Sequence, residues 1–423
     1  MFVIFYFYCQ LIKICYNDFI MTILKQLNSI QLNLMQLIEK LIKYPSITPN
    51  DCGCIDFICQ YLKELNFCIY DLNSNNVRNM FAVWHPQDNE SLTTNNKNYK
   101  NQRRNKILAF VGHTDVVPTG DIDNWHNNPF VLTEINNKLY ARGIADMKGA
   151  IVAFLLALEK FVAEHDLSQY KIMLLLTSDE EGSAHDGTIL MVDYLKQNQI
   201  QLNYCLVGEP SCVDVIGDTI KVGRRGSLTG NLVINGKQGH IAYPHLCDNP
   251  IHSFAPALNE LSSKVWDNGN EFFPASSLQF ANINSGLGVT NVIPGLLSTN
   301  FNFRYNTNHS VDSLKQEVVA ILNKYKLNYD LSWQHSANPF LTKVGSLIEL
   351  SRQAISEVCG VSVACKTDGG TSDGRFLIEV SDEIIELGLK NASIHQLNEA
   401  TSISDLSKLA SIYSILLCKI FND

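Results

Sequence analysis

The sequence predicts an α/β protein, in which helices cover a mixed sheet and a smaller α+β domain is inserted. Between residues 107 and 207, continuous apolar strands alternate with helices, an order typical of a sheet covered on both faces. From residue 226, apolar and polar residues alternate within the strands, which indicates a sheet with one exposed face. The length of 423 residues allows two or three structural units. We predict an extension (1–30), a main domain in two parts (31–225 and 339–423) and an inserted domain (226–338).

The extension is expected to lie outside the fold. Its first twenty residues, MFVIFYFYCQLIKICYNDFI, are apolar and aromatic, but they lack a basic region and a small-residue cleavage site, so they make a poor signal peptide. The stretch is also too short and too interrupted for a membrane span. Met21 precedes a better helical pattern, so residues 1–30 are interpreted as a disordered extension or a start codon assigned too early.

Composition excludes some classes of partner. The net charge of −9 and the pI near 5.7 argue against binding to nucleic acid or to an anionic membrane surface. The 12 cysteines include no C-x-x-C pair, so they are expected to be reduced thiols of a cytoplasmic protein.

The elements of the main domain follow from the spacing of its apolar residues. Helical spacing predicts amphipathic helices at 30–43 and 53–65, and the aperiodic polar stretch 88–106 predicts an inserted surface loop. The next predicted elements are a strand at 107–113, a helix at 149–165, a strand from 171, a helix at 187–197 and a strand at 204–210. Residues 339–423 are expected to complete the sheet with a helix, a strand and a helix.

The inserted domain has the element order β-α-β-β-α-β, which is typical of a small split-βαβ unit. Its predicted strands lie at 227–236, 276–283, 296–305 and 327–334, and its predicted helices lie at 249–266 and 310–325.

Several acidic or imidazole side chains stand at strand ends or in the loops just after strands: His113, Asp146, Glu180–Glu181, Glu209 and His395. Ligands gather at the carboxyl ends of strands in open α/β sheets. Nitrogen and oxygen donors without cysteine suit zinc, cobalt or manganese, and a set of this size can hold two metals about 3.5–4 Å apart. Singly, each residue has a structural alternative: Asp146 is a possible helix N-cap, and the Glu pair a solvated turn. The sequence alone does not show which Glu would bind metal and which would act as a base.

Eleven motifs, in their order along the chain, decide between these alternatives. They are SITPND (46–51), GHTDVVPTGD, WHNNPF, YARGIADMKGA, TSDEEGSAHDGT, VGEPS, GRRGSLTG, GKQGHIAYPH, GVTNVIP, GGTSDGR and IHQLNE. With them, the chain from about residue 31 onward resembles the dizinc aminoacylase and carboxypeptidase-type metallohydrolases. The resemblance implies a dizinc-peptidase-like catalytic domain and an inserted lid domain through which two copies form a homodimer.

The resemblance also implies a role for each candidate ligand. His113 and Glu209 would bind one zinc ion, and Glu181 and His395 the other, with Co²⁺ able to substitute at one site. Asp146 would bridge the two ions, and its peptide bond to Met147 is expected to be cis.

Further roles follow from the same resemblance. Asp115 would orient His113, Glu180 would be the general base, and His240 of the inserted domain, often from the partner subunit, would stabilise the oxyanion. The implied substrate-binding residues are Arg224, Ser227, Asn291, Gly370 and Thr371. Arg225 is not separable from Arg224 by sequence.

The implied reaction is metal-assisted hydrolysis of an amide in a small molecule. Within this resemblance, the motifs GRRGSLTG and GGTSDGR favour members that hydrolyse the succinyl amide of diaminopimelate, a substrate with several carboxylates. The alternatives are an acetylornithine deacetylase or a related dizinc peptidase. A non-catalytic binding protein with this fold predicts the loss of at least one ligand or of the base, and every implied position is retained.

Overall fold

The computed structural model describes residues 33–84, 106–165, 171–342 and 345–422. The predicted extension and all but the last residue of the predicted 88–106 loop lie outside these ranges. The chain forms two compact units. Unit 1 runs to Ile220 and also contains Gly345–Ala364 and the residues from Glu379 onward, whereas unit 2 begins at Lys221 and includes Cys365–Ile378. Unit 2 is therefore larger than the predicted insertion at 226–338, because the GGTSDGR motif packs with it.

The first part of unit 1 alternates strands and helices. The helices are α1 (33–42), α2 (Cys54–Glu64), α3 (Gly149–Glu164) and α4 (Thr188–Gln197). The strands are β1 (Phe67–Asp71), β2 (Asn79–Trp84), β3 (Ile107–His113), β4 (Thr133–Ile135), β5 (Lys138–Tyr140), β6 (Lys171–Thr177), β7 (Leu202–Val207) and β8 (Thr219–Lys221).

Unit 2 contains the predicted split-βαβ arrangement. Its elements are β9 (Gly223–Arg224), β10 (Gly226–Asn235), β11 (Gly239–His240), α5 (Pro250–Ser263), β12 (Ser277–Ser285), β13 (Val292–Ile293), β14 (Leu296–Tyr305), α6 (Val311–Lys324), β15 (Tyr329–Ala337) and β16 (Phe340–Leu341). Four strands form an antiparallel sheet in the order β12-β14-β10-β15. Apolar residues of α5 and α6 pack with one face of this sheet into a core, and the alternate residues of β14 are only partly buried.

The last part of the chain supplies α7 (Ser346–Cys359), β17 (Ala364–Lys366), α8 (Gly374–Leu377), β18 (Ser381–Glu386), β19 (Ala400–Ser402) and α9 (Ile403–Asn422). The main sheet has eight strands in the order β1-β2-β6-β3-β7-β18-β8-β17. Its centre, β6-β3-β7-β18, is parallel, and β1 and β2 run antiparallel at one edge, so the sheet is mixed. Six of the seven residues of both β3 and β6 are buried, which is the pattern of strands covered on both faces. Within the described ranges, none of the helices has the length and apolar character needed to span a membrane.

Candidate metal centre

The four parallel strands deliver most of the candidate ligands to one edge of the sheet. His113 is the last residue of β3, Glu180 and Glu181 follow β6, Glu209 follows β7, and His395 lies in the loop after β18. Because these strands are adjacent and parallel, their carboxyl ends meet at the same edge. The side chains that follow them can therefore converge although they are up to 282 residues apart in the chain.

Asp146 reaches this edge from the segment Ile144–Lys148, which leads into α3. Its peptide bond to Met147 is cis, as the resemblance predicted. The Oδ1 atom of Asp146 lies 3.2 Å from Nε2 of His113, and its Oδ2 atom lies 3.3 Å from Nε2 of His395. One carboxylate thus presents a different oxygen to each imidazole, which is the arrangement expected of a bridging ligand.

The two neighbouring glutamates take different positions. Oε1 of Glu181 lies 2.9 Å from Nε2 of His395. Glu180 instead belongs to a group with His113 and Glu181, and not to the group around His395 and Asp146. Glu209 lies on the other side, with Oε1 at 3.6 Å from Nε2 of His113.

Asp115 plays a broader part than the one predicted. Nδ1 of His113 is 2.9 Å from the backbone oxygen of Asp115, whereas the nearest carboxylate oxygen is 3.6 Å away. The Asp115 carboxylate instead accepts hydrogen bonds from the backbone N–H groups of Glu180 and Glu181, at 3.3 and 3.1 Å. The residue therefore orients His113 through its backbone and the Glu pair through its side chain.

Charge is concentrated and buried at this edge. Burial raises the pKa of Asp115 to about 6. The hydrogen bonds to Asp146 and Glu181 raise the pKa of His395 to about 10, although its partial burial opposes this. Burial alone would lower the pKa of His113, but the hydrogen bond to Asp146 and the nearby carboxylates raise it well above its usual value. Burial likewise opposes ionisation of Asp146, and its hydrogen bonds to the two histidines lower its pKa. Such an accumulation of carboxylates requires cationic partners.

The donor set fits divalent metal ions. Among the described residues, three groups bring their potential ligand atoms within 4.8 Å of one another. They are His113–Asp146–Glu209, Asp146–Glu181–His395 and His113–Glu180–Glu181. Imidazole nitrogen and carboxylate oxygen without thiolate suit zinc, cobalt or manganese. Asp146 is shared by the first two groups, so the geometry is that of two adjacent cation positions.

The predicted substrate-binding residues all lie in unit 2. Nη1 of Arg224 donates to the backbone oxygen of Asp368, at 3.0 Å, and a Cβ on Gly369 would lie 2.7 Å from the same nitrogen. Glycine at 369, where φ is +92°, is therefore what allows the loop to approach Arg224. The Oγ of buried Ser227 accepts from Asn302 at 3.1 Å. A Cβ on Gly370 would meet no described atom within 4 Å, and the Oγ1 atom of Thr371 is buried without a described partner.

Two further arginines join Arg224 and Arg225 in a cluster that the sequence analysis missed. Burial lowers the pKa of Arg304, and the charges of Arg225, Arg375 and Arg224 lower it further, so the four guanidinium groups lie close together. Nε of Arg225, Nη1 of Arg304 and Nε of Arg375 are buried without a hydrogen-bond partner among the described residues. The sequence marked Arg375, which ends the motif GGTSDGR, whereas Arg304 joins the cluster through the pairing of β14 with β10 opposite Ser227. Donors of this kind suit carboxylate groups.

His240 and Asn291 lie beside each other in unit 2. His240 pairs with Val292 in the short ladder of β11 and β13, and the N–H of Ile241 donates to the backbone oxygen of Asn291. The exposed ring of His240 accepts from the N–H of Ala242 at Nδ1, at 3.1 Å. Nε2 is therefore the nitrogen that carries the proton in the neutral ring, available to donate.

Comparison with known proteins places the chain in a family. A model of Peptidase family M20/M25/M40 matches residues 109–419. The chain belongs to this family. Two relatives named succinyl-diaminopimelate desuccinylase, from Methylobacillus flagellatus and Nitrosospira multiformis, are each 45% identical over 383 residues. The matches cover 90% of this chain and 98% and 97% of those relatives.

Solved structures confirm the predicted fold class for this member of Peptidase family M20/M25/M40. An M20 metallo-carboxypeptidase from Sulfolobus solfataricus matches with a TM-score of 0.75 at 18% identity, over 91% of this chain and 98% of that one. A dinuclear metal binding peptidase of the M20 family from Bacillus subtilis matches with a TM-score of 0.66 at 14% identity, over 93% and 99% of the two chains.

Proposed function

We propose that the chain is a hydrolase that cleaves the succinyl amide of N-succinyl-LL-2,6-diaminopimelate, giving succinate and LL-2,6-diaminopimelate for lysine and cell-wall precursor biosynthesis. The observation that carries this proposal is the 45% identity to two proteins named for this activity, over nearly the full length of both. The retained donor set at the sheet edge supports catalysis rather than simple binding.

The proposed cofactor is a pair of Zn²⁺ ions, with Co²⁺ able to replace one of them. His113 and Glu209 would hold one ion, His395 and Glu181 the other, and Asp146 both, because its oxygens face different histidines. When bound, such ions polarise a carbonyl oxygen and lower the pKa of a coordinated water molecule.

The chain's own residues would perform the proton transfers. Glu180 lies beside His113, outside the group around His395, and is the candidate base that removes a proton from the attacking water and delivers it to the leaving amine. Nε2 of His240 would donate to the oxyanion that develops at the succinyl carbonyl.

The arginine cluster indicates how the substrate would be recognised. N-succinyl-diaminopimelate carries several carboxylates, and guanidinium groups bind carboxylates through paired hydrogen bonds. Arg224 or Arg225, Arg304 and Arg375 are the candidates, together with Ser227, Asn291 and the backbone of Gly370 and Thr371. The alternative function is that of an acetylornithine deacetylase. Its substrate has fewer carboxylates, so it would need fewer guanidinium groups than the four that cluster here.

The proposed assembly is a homodimer formed through unit 2. Large apolar side chains near His240 and Asn291 are exposed, among them Ile241 (54%), Leu246 (58%) and Leu287 (63%). Exposed apolar patches commonly mark contact surfaces. The ten cysteines within the described ranges are free thiols, which supports a reducing, cytoplasmic location.

Succinate release tests the activity directly. The purified enzyme, loaded with Zn²⁺, should release succinate from N-succinyl-LL-diaminopimelate with a much higher kcat/KM than that for acetate release from N-acetylornithine. Chelation should abolish the reaction, and added Zn²⁺ or Co²⁺ should restore it. A preference for N-acetylornithine would contradict the proposed substrate while leaving the metal centre intact.

Glu180→Gln tests the assignment of the base. The substitution keeps the size of the side chain and removes its ability to accept a proton. We expect kcat to fall by at least about 10²-fold, the usual scale for general acid–base catalysis, with the zinc content unchanged. Near-normal kcat would show that another group takes the proton.

A further inference from the structure

Glu399 is a buried carboxylate, 1% exposed, close behind the candidate metal centre. Its Oε1 atom accepts hydrogen bonds from the backbone N–H groups of Ala145 and Asp146, at 2.8 and 3.1 Å. Its Oε2 atom accepts from the N–H of Gly143 at 3.0 Å and from Nη1 of Arg142 at 2.8 Å. A single side chain therefore organises the whole turn that carries Asp146.

The same residue is tied to the other side of the centre by the chain itself. Glu399 lies four residues after His395, in a loop that Ser393 closes by exchanging hydrogen bonds with the backbone of Ala400. The backbone oxygen of Glu399 also accepts from the N–H of Ala141, where β19 and β5 begin to pair. His395 has a φ of +61°, so its position depends on this loop.

We propose that Glu399 is a positioning residue that sets the distance between Asp146 and His395. The inference deepens the proposed function, because it assumes that these two side chains share a metal ion. Oδ2 of Asp146 lies 3.3 Å from Nε2 of His395, so these two side chains join the loop before α3 to the loop after β18. Among the described residues, Glu399 is the one residue of the second loop whose side chain accepts a hydrogen bond from the Asp146 backbone. Releasing the Asp146 turn would leave the two donors free to separate. The metal position that they share should weaken more than the one held by His113 and Glu209.

The experiment uses Co²⁺ as the probe, because its visible absorption reports coordination geometry at each site. Wild type, Glu399→Gln and Glu399→Asp are stripped of metal and titrated with Co²⁺, and kcat and KM are then measured with N-succinyl-LL-diaminopimelate. Gln keeps the size but replaces one acceptor oxygen with a donor group, which faces existing N–H donors. Asp keeps the negative charge beside Arg142, but its side chain is shorter by about one carbon–carbon bond, so its oxygens lie farther from the Asp146 turn. Comparing the two variants therefore separates the effect of losing the charge from the effect of moving the oxygens.

Asp267→Asn is the matched control, since Asp267 is also a carboxylate with little exposure that accepts from backbone N–H groups, those of Gly269 and Ser276, but in unit 2. It should lose stability and keep the wild-type Co²⁺ titration and spectrum.

We expect both Glu399 variants to bind the second Co²⁺ ion about 10- to 100-fold more weakly than wild type, the range for residues that orient metal ligands, and to lose less affinity for the first ion. The spectrum of the second ion should change, and kcat should fall more than KM rises. Variants that bind both ions with wild-type affinity, spectrum and kcat would overturn the positioning role alone. Wild type that binds no Co²⁺ would instead overturn the proposed metal centre, and with it this inference.

Discussion

At the level of single residues, the candidate metal centre contains carboxylates that make different contacts. Asp146 offers one oxygen to His113 and the other to His395, whereas both oxygens of Asp115 accept from the backbone of the Glu pair. Asp115 is fully buried, and burial raises its pKa to about 6. The donors it receives are therefore needed to keep it charged and in place.

Removing a ligand should cost more than removing the residue that orients it. His113→Ala deletes a donor, so we expect it to weaken one metal position by more than 100-fold. Asp115→Asn keeps the shape but replaces one acceptor oxygen with an NH2 donor that faces a backbone N–H group, and should weaken metal binding by about 10- to 100-fold. Competition titration with a chelator measures both.

Asp121→Asn is the control for these titrations, because Asp121 caps a turn in the same loop by accepting from the N–H of Asp123 and is exposed. It should bind metal like wild type. Equal losses in His113→Ala and Asp115→Asn would show that the two residues have been given the wrong roles.

The sequence marks the candidate ligands more clearly than the residues that support them. His113, Glu209 and the Glu pair follow apolar strands, so a local pattern marks them. Glu399 stands in the motif IHQLNE, but its hydrogen-bond donors lie 253 to 257 residues earlier, and only the fold reveals them. Arg304 could not be predicted for a similar reason, because only the pairing of β14 with β10 places it opposite Ser227.

At the level of elements, the glycines before two of the candidate ligands make room for one buried methionine. A Cβ on Gly112 would lie 2.6 Å from Cε of Met147, and a Cβ on Gly208 would lie 2.5 Å from the same atom. Met147 is fully buried and follows Asp146 directly. The ends of β3 and β7 thus pack against the residue next to Asp146, the candidate bridging ligand, and glycine allows this close approach.

Gly208→Ala should disturb this packing. The new methyl group would also meet the ring of Phe110 at 2.8 Å, so we expect unfolding in urea to show a loss of about 1–3 kcal/mol in stability, as overpacking typically causes. Weaker metal binding should accompany it if Met147 displaces Asp146. Adding Met147→Leu, whose side chain ends one atom earlier, should recover part of the loss.

Gly370→Ala provides the comparison, since an added Cβ there meets no described atom within 4 Å. Its stability should stay within about 0.5 kcal/mol of wild type. If Gly208→Ala were equally harmless, the ends of β3 and β7 would not be packed as tightly as we describe.

The bounds of elements were predicted well where apolar runs end sharply, and less well where a turn places a candidate site residue. The strand at 107–113 has the predicted bounds, and β6 begins at the predicted residue. The strand predicted at 204–210 instead spans Leu202–Val207, because the chain turns at Gly208 to place Glu209. Unit 2 recruits Cys365–Ile378 from a distant part of the chain, which no local pattern could indicate.

At the level of the whole molecule, the residues proposed for the reaction are divided between the two units. The candidate ligands and base lie in unit 1, and the arginine cluster and His240 lie in unit 2. If a homodimer forms and His240 serves the partner's metal centre, neither subunit has a complete site alone. Each active site would then combine Glu180 of one subunit with a histidine of the other.

Mixing two inactive variants tests this arrangement. In a dimer of Glu180→Gln and His240→Ala chains, one site carries both lesions and the other carries neither. Random exchange of equal amounts makes half of the dimers mixed, each with one intact site of two, so activity should return to about a quarter of the wild-type value under two-fold symmetry. Each variant incubated alone should stay inactive, and native mass spectrometry of chains with different masses measures the exchange. Exchange without recovered activity would show that His240 acts within its own subunit or has no part in the reaction, because only a donor that crosses the dimer interface lets one lesion complement the other.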